Sequence, residues 1–198
     1  MSFRIVPITQ LSEKQIAELA SLHHTVMHSL LSDLGLPVVE RYYQIAHKDV
    51  KVIGFCALSE SGNPLGWAIG SPKPDQLNRH LRAALFWFIS QMSRVLITRP
   101  RVVGQLWTSI RSTSGTMPAG AIELTYLGVD IFARGHGVGR EVLNAFLQAA
   151  RDTKYRSVVL SVEAENKDAI ALYTRAGFEI IDRFTEGSFH RHRMELIL

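Results

Sequence analysis

This 198-residue sequence predicts an α/β fold, a mixed central β-sheet flanked by helices, and three observations carry that prediction. Short runs rich in β-branched and aromatic residues alternate with longer stretches of helical periodicity. Clusters of glycine, proline, asparagine and serine punctuate them. The C-terminal half runs strand, helix, strand, helix, strand, the order of a sheet covered by its own connections. The length suits one domain, 1–198, with room for an insertion.

The elements follow in order. "SFRIVPI" alternates enough for a first strand. In "LSEKQIAELASLHHTVM" the apolar residues Leu11, Ile16, Leu19, Ala20, Leu22 and Val26 share a helix face, with Ser12 as N-cap and Gln15 as its capping-box partner. "LGLP" ends that helix and "PVVERYYQIA" starts a second. "DVKVIGFCALSE" and "LGWAIGS" read as two strands joined by the turn at Ser61 to Pro64, hence a hairpin. "AIELTYLGVDI" is a strand, and "GVGREVLNAFLQAARDT" a helix with Val138, Val142, Phe146 and Ala150 on one stripe. "SVVLSVEA" is a buried-type strand, and "NKDAIALYTRAG" a helix closed by Gly177. "FEIIDRF" and "HRHRMELIL" are closing strands that pair with each other.

Between the third and fourth strands lies a helical insertion, 72–118. A helix capped near Asp75 carries Leu81, Leu85, Phe86, Phe88, Ile89 and Met92, more apolar surface than a lone surface helix needs. It predicts either a cover over a substrate site or a homodimer contact. A second helix, "RVVGQLWTSI", and a small-residue loop complete the insertion.

Composition narrows the function classes. Hydrophobic residues make up 46% and charged residues 20%, ordinary for a globular protein, and the net charge of +4 is mild. The single cysteine, Cys56, sits in an apolar strand, so it forms no internal disulfide and reads as a small buried hydrophobe. "MSFRIVPITQ" lacks the form of a secretory signal. The most apolar stretch is interrupted by Arg82, Gln91 and Arg94, so no membrane span is expected and the protein is placed in the cytoplasm. "RPR" at Arg99 to Arg101 and "RHR" at Arg191 to Arg193 lack interleaved aromatics, so they read as solvated faces and no nucleic-acid partner is expected. His24 and His28 have ligand spacing on a helix, but no third ligand accompanies them and no metal is expected.

The informative stretch is "ARGHGVG", Ala133 to Gly139. A dinucleotide loop requires G-x-G-x-x-G, but Arg140 stands where its third glycine belongs. A Walker loop requires G-K-S/T, which is absent. What remains is a strand, a glycine loop and a helix start. The start of a helix has unpaired N–H groups and a partial positive charge, so it attracts phosphate. Gly137 and Gly139 would let a diphosphate approach the backbone, and Arg134 and Arg140 would add charge-assisted bonds. A plain strand-to-helix turn satisfies the same residues.

Three segments in order, "YLGVD", "RGHGVG" and "ENKDAIALYTRAGFE", resemble the Gcn5-related N-acetyltransferases (GNAT), over about Ile122 to Ile181. The loop matches R/Q-x-x-G-x-G/A. Asn166, Ala169, Leu172, Tyr173, Gly177 and Phe178 match N-x-x-A-x-x-L/F-Y-x-x-x-G-F. The resemblance implies acetyl-coenzyme A (acetyl-CoA) as co-substrate. Its pyrophosphate would lie on Arg134, Gly135, His136, Gly137, Val138, Gly139 and Arg140, and its pantetheine arm along the main chain of Leu127, Gly128 and Val129. Asn166 would cap a helix and touch the cofactor. It implies Glu123 as the base that deprotonates the amine, directly or through water, and Tyr173 as the acid that protonates the leaving thiolate while also contacting the cofactor. The amine would attack directly in a ternary complex. The first helices would form the acceptor wall, with His23, His24 and Tyr42 as candidate lining. A small-molecule amine or amino sugar is the expected acceptor. Acetylation of a peptide N-terminus and a non-catalytic CoA-binding module are the competing readings.

Overall fold

The computed structural model describes residues 1–73, 117–186 and 189–198. The helices expected in the insertion, and the cover or dimer contact they would make, lie outside the described residues. Seven strands form one mixed sheet: β1 (Phe3–Pro7), β2 (Ile53–Ser59), β3 (Pro64–Ser71), β4 (Ala121–Val129), β5 (Ser157–Glu163), β6 (Glu179–Glu186) and β7 (Phe189–Ile197). The order across the sheet is β1-β2-β3-β4-β5-β7-β6. Among the described residues five α-helices accompany it: α1 (Glu13–Val26), the single turn α2 (Leu30–Asp33), α3 (Leu36–Lys48), α4 (Val138–Asp152) and α5 (Lys167–Arg175).

The local signals account for these elements. Ser12 Oγ accepts from the Gln15 backbone N–H and the Gln15 side chain accepts from the Ser12 N–H, the expected capping box. Asn166 Oδ1 accepts from the Ala169 N–H at 3.1 Å. Gly177 ends α5 at φ +96°, left-handed backbone that glycine adopts without penalty. The β2–β3 hairpin and the β6–β7 pair form as expected. The turn α2 is not among the elements expected from the sequence.

Two cores sit on opposite faces of the sheet. On one face Val138, Val142, Phe146 and Ala150 of α4 pack on Ile122, Leu124, Val158 and Leu160. On the other, Leu19 and Ala20 of α1 and Val39, Tyr42 and Tyr43 of α3 pack on Cys56, Trp67 and Ile69. These side chains are almost fully out of water, which makes burial the main favourable term in holding the layers together.

β4 and β5 are parallel and pair only from Ala121↔Ser157 to Glu123↔Val159. Beyond that point β4 keeps β3 on one side, while its other edge has no strand partner among the described residues. On the β3 side a bulge sits at Thr125, because Ile69 faces Tyr126 whereas Gly70 faces Leu124. The extra residue reverses the alternation. Glu123 and Leu127 therefore lie on opposite faces, where unbroken period-2 alternation would have put them on one. Leu127 packs toward α4 and Tyr126 toward α1 and α3.

Candidate active site

The divergence of β4 and β5 opens a cleft of about 760 Å³. One wall is β4 from Leu124 to Val129, and the facing wall is Ser161 to Glu163 of β5 with Asn166, Leu172 and Tyr173 of the α5 segment. Ala133, Arg134, Gly135, Gly137, Val138, Gly139 and Arg140 close one end, and Val26, Met27, His28 and Ser29, the exit from α1, line it as well.

The glycine loop has the geometry of an anion cradle. Gly135 and Gly137 lie at φ +77° and +83°, and a Cβ on Gly135 would project into open space. Gly137 is the N-cap of α4 and offers no side chain to the first turn. The starts of α1 and α5 are satisfied by Ser12 and Asn166. With no capping side chain at Gly137, the first-turn N–H groups of α4 keep their donor capacity, at the positive end of a 15-residue helix. Gly139 brings the helix close to the strand: a Cβ there would stand 3.3 Å from Val129 Cγ2. These features fit the pyrophosphate of a coenzyme. His136 is not among the cleft-lining residues; its ring Nδ1 lies 2.9 Å from the Arg134 carbonyl oxygen, a bond that braces the loop. Arg140 pairs with Glu141 at 3.1 Å on the surface, a contact worth little in stability.

Tyr173 is 7% exposed, lines the cleft, and meets Phe178 edge-to-face at 5.7 Å. Burial pushes its phenol above the ordinary value, so it keeps its proton throughout the neutral range. Glu123 is not among the lining residues. It sits one position behind Leu124, in an ion pair with Arg193 at 3.0 Å. Arg193 also donates to Ser161 Oγ at 3.0 Å and reaches Met117 Sδ at 3.5 Å. Arg193 thus ties β7 to β4 and β5 at the point where the latter two separate. Reading "RHR" as a solvated face fails for Arg193, which is 7% exposed, because strand alternation turns it inward onto a carboxylate.

The acceptor wall also differs from expectation. His23 and Tyr42 are buried, at 0% and 2% exposure, and neither they nor His24 line the cleft; Val26 to Ser29 do. The reason is helical phase: His23 and Tyr42 share the core-facing stripes of α1 and α3. Ser29 has no signal in the sequence beyond its place just after a helix end. Burial pushes the Cys56 thiol up to about 12, which suits an inert core residue. No cluster of three His, Cys, Asp or Glu among the described residues could hold a metal ion. No helix among them is long and apolar enough to cross a membrane.

Comparison with known proteins bears on the same residues. The profile described as the acetyltransferase (GNAT) family matches residues 17–178. The mycothiol acetyltransferase of Jonesia denitrificans is 30% identical over 156 residues, 76% of this chain and 47% of that protein. That of Saccharomonospora viridis is 36% identical over 95 residues, 44% of this chain and 30% of that protein. The chain therefore covers from under a third to just under half of these curated relatives. Among solved structures, an N-acetyltransferase from Staphylococcus aureus superposes with TM-score 0.66 at 14% identity, covering 100% of this chain and 99% of that one. A Thermoplasma acidophilum N-acetyltransferase in complex with coenzyme A gives 0.62 at 13% identity over 100% of both chains. At such identities the likeness is one of fold. Diverging central strands, an uncapped glycine loop and a profile match over most of its length together place the chain in the acetyltransferase (GNAT) family, the acyltransferases that take their acetyl group from acetyl-CoA.

Proposed function

We propose that the protein transfers an acetyl group from acetyl-CoA to a primary amine of a small molecule or amino sugar, by direct attack in a ternary complex. The observation that carries this reading is the side-chain-free start of α4 opening on the cleft between β4 and β5. Backbone N–H groups from Gly135 to Arg140 and the Arg134 guanidinium would hold the pyrophosphate. The free edge of β4 at Leu127, Gly128 and Val129 would pair with the pantetheine arm as an added strand, and Asn166 would contact the cofactor beside its capping bond. The bound thioester supplies an activated acyl group at the strand divergence.

The chain's own residues then have three tasks. An ammonium has no lone pair, so a proton must leave the amine; Glu123 would take it through a water, since its carboxylate stands behind the cleft wall in the grip of Arg193. A backbone N–H near Val129 would polarise the carbonyl. Tyr173, protonated at neutral pH, would donate its O–H proton to the leaving sulfur. The small-molecule acceptor is supported by the sequence relatives, which are named mycothiol acetyltransferases.

Calorimetry with coenzyme A tests the donor, and thiol release in a panel of primary amines tests the transfer. Absence of binding heat at millimolar coenzyme A would refute the reading. Gly137→Val is expected to weaken coenzyme A about ten-fold or more, because a β-branched residue resists φ +83° and its Cβ enters the cradle. Glu123→Gln is expected to lower turnover about 10²-fold or more while coenzyme A affinity is retained, the signature of a lost base.

A further inference from the structure

A buried hydrogen-bonded chain ends in the cleft and is not used by the steps above. Tyr43 is 0% exposed and its hydroxyl lies 2.7 Å from His23 Nδ1. His23 is also 0% exposed, and its Nε2 lies 3.2 Å from Ser29 Oγ. Ser29 lines the cleft. Ser29 Oγ also accepts from the Ser32 backbone N–H at 3.2 Å and lies 3.1 Å from Ser32 Oγ.

Proton counting fixes the direction of each bond. Burial holds the Tyr43 phenol in its protonated form, and a buried phenol proton needs an acceptor. His23 Nδ1 is at the right distance to be that acceptor. Burial, with neighbouring His24, lowers His23 to about 3, so the ring is neutral and has one proton. With Nδ1 accepting, that proton sits on Nε2 and points at Ser29. Ser29 Oγ then accepts from His23 and from the Ser32 N–H, which occupies both lone pairs. What it has left is a proton to donate, resting on Ser32 Oγ until an oxygen enters the cleft. A serine arranged this way is no nucleophile, since neutral His23 already spends its hydrogen on Ser29 and offers it no base.

From this arrangement we infer that Ser29 is an acceptor-contacting residue, held as an obligate hydrogen-bond donor by His23 and Tyr43, and that it selects amines bearing a nearby hydroxyl or carbonyl oxygen. His23 and Tyr43 are positioning residues. The inference rests on the acetyl-transfer reading and adds a substrate feature to it.

Two measurements test it. In ¹⁵N NMR of the full chain, His23 should show Nε2 protonated and Nδ1 bare, and Tyr43→Phe should shift it toward a tautomer mixture. A His23 protonated on Nδ1 in the unaltered protein overturns the inference. The second measurement is thiol release with glucosamine, serinol and alaninamide as oxygen-bearing amines, against cyclohexylamine and isobutylamine. The expected result is a preference for the oxygen-bearing set that falls about ten-fold in Ser29→Ala, mainly through KM, and is largely restored in Ser29→Thr. Equal loss toward both sets, or an unaltered protein that prefers the bare amines, overturns the role of Ser29 while leaving acetyl transfer intact. Silence toward every amine by a protein that still binds coenzyme A refutes the transferase reading itself, and the Ser29 inference with it.

Discussion

Tyr173→Phe is expected to lower turnover about 10²-fold or more, with coenzyme A affinity little changed. The phenyl ring keeps the edge-to-face contact with Phe178 and fills the same space, so the variant folds and binds. What it lacks is the proton that the proposed mechanism assigns to the leaving sulfur. Because burial raises the Tyr173 phenol above its ordinary value, the proposed acid keeps its proton across neutral pH. Ionisation of Tyr173 therefore should not cause any fall in rate below about pH 10. A Tyr173→Phe variant with full turnover, or an unaltered protein that loses activity near pH 8 through a phenol, would remove Tyr173 from the mechanism. Thiol release from single-turnover mixtures reads the step directly.

Acidification is expected to destabilise the fold through His23. Its pKa is about 3 in the folded chain against an ordinary 6.5, so in that interval the unfolded chain binds a proton that the folded chain refuses. Stability from this group is fully present above pH 6.5 and is lost as pH falls toward 3. Between pH 7 and pH 4 the loss is about 3 kcal/mol, a large share of a typical domain's total. Urea unfolding at both pH values measures it. In His23→Gln, whose side chain does not titrate, the difference between the two pH values should shrink by that amount, even though the variant starts less stable at pH 7. An undiminished difference in the variant would mean that His23 titrates normally in the folded state.

These two residues show where sequence reasoning reaches and where it stops. Tyr173 was legible because a motif of fixed spacing places it one helix after a strand, and helix, strand and cap are all local. The family resemblance makes His23 an acceptor-wall candidate through its place on the first helix. Its burial depends on which stripe of α1 meets α3 and the sheet, a packing choice made between segments 20 residues apart. Glu123 is a third case. Its place on β4 was legible, but its partner is Arg193, 70 residues away, and the bulge at Thr125 that sets its face has no marker in the sequence.

The sequence by itself determined the sequence-local parts of this protein: the strands and the helices other than α2 of the described residues, the Ser12 and Asn166 caps, the glycine loop before α4 and the order of motifs that marks the family. Those depend on hydrogen bonds and dihedral preferences within a few residues, so a short window contains them. Only the tertiary structure decided that β7 lies between β5 and β6, that β4 and β5 part after Glu123, and that Arg193 bridges the gap. It alone brought Ser29 to the cleft with a buried histidine behind it. Such contacts join residues far apart in the chain, and their energies depend on shape and burial that exist only once the layers have packed.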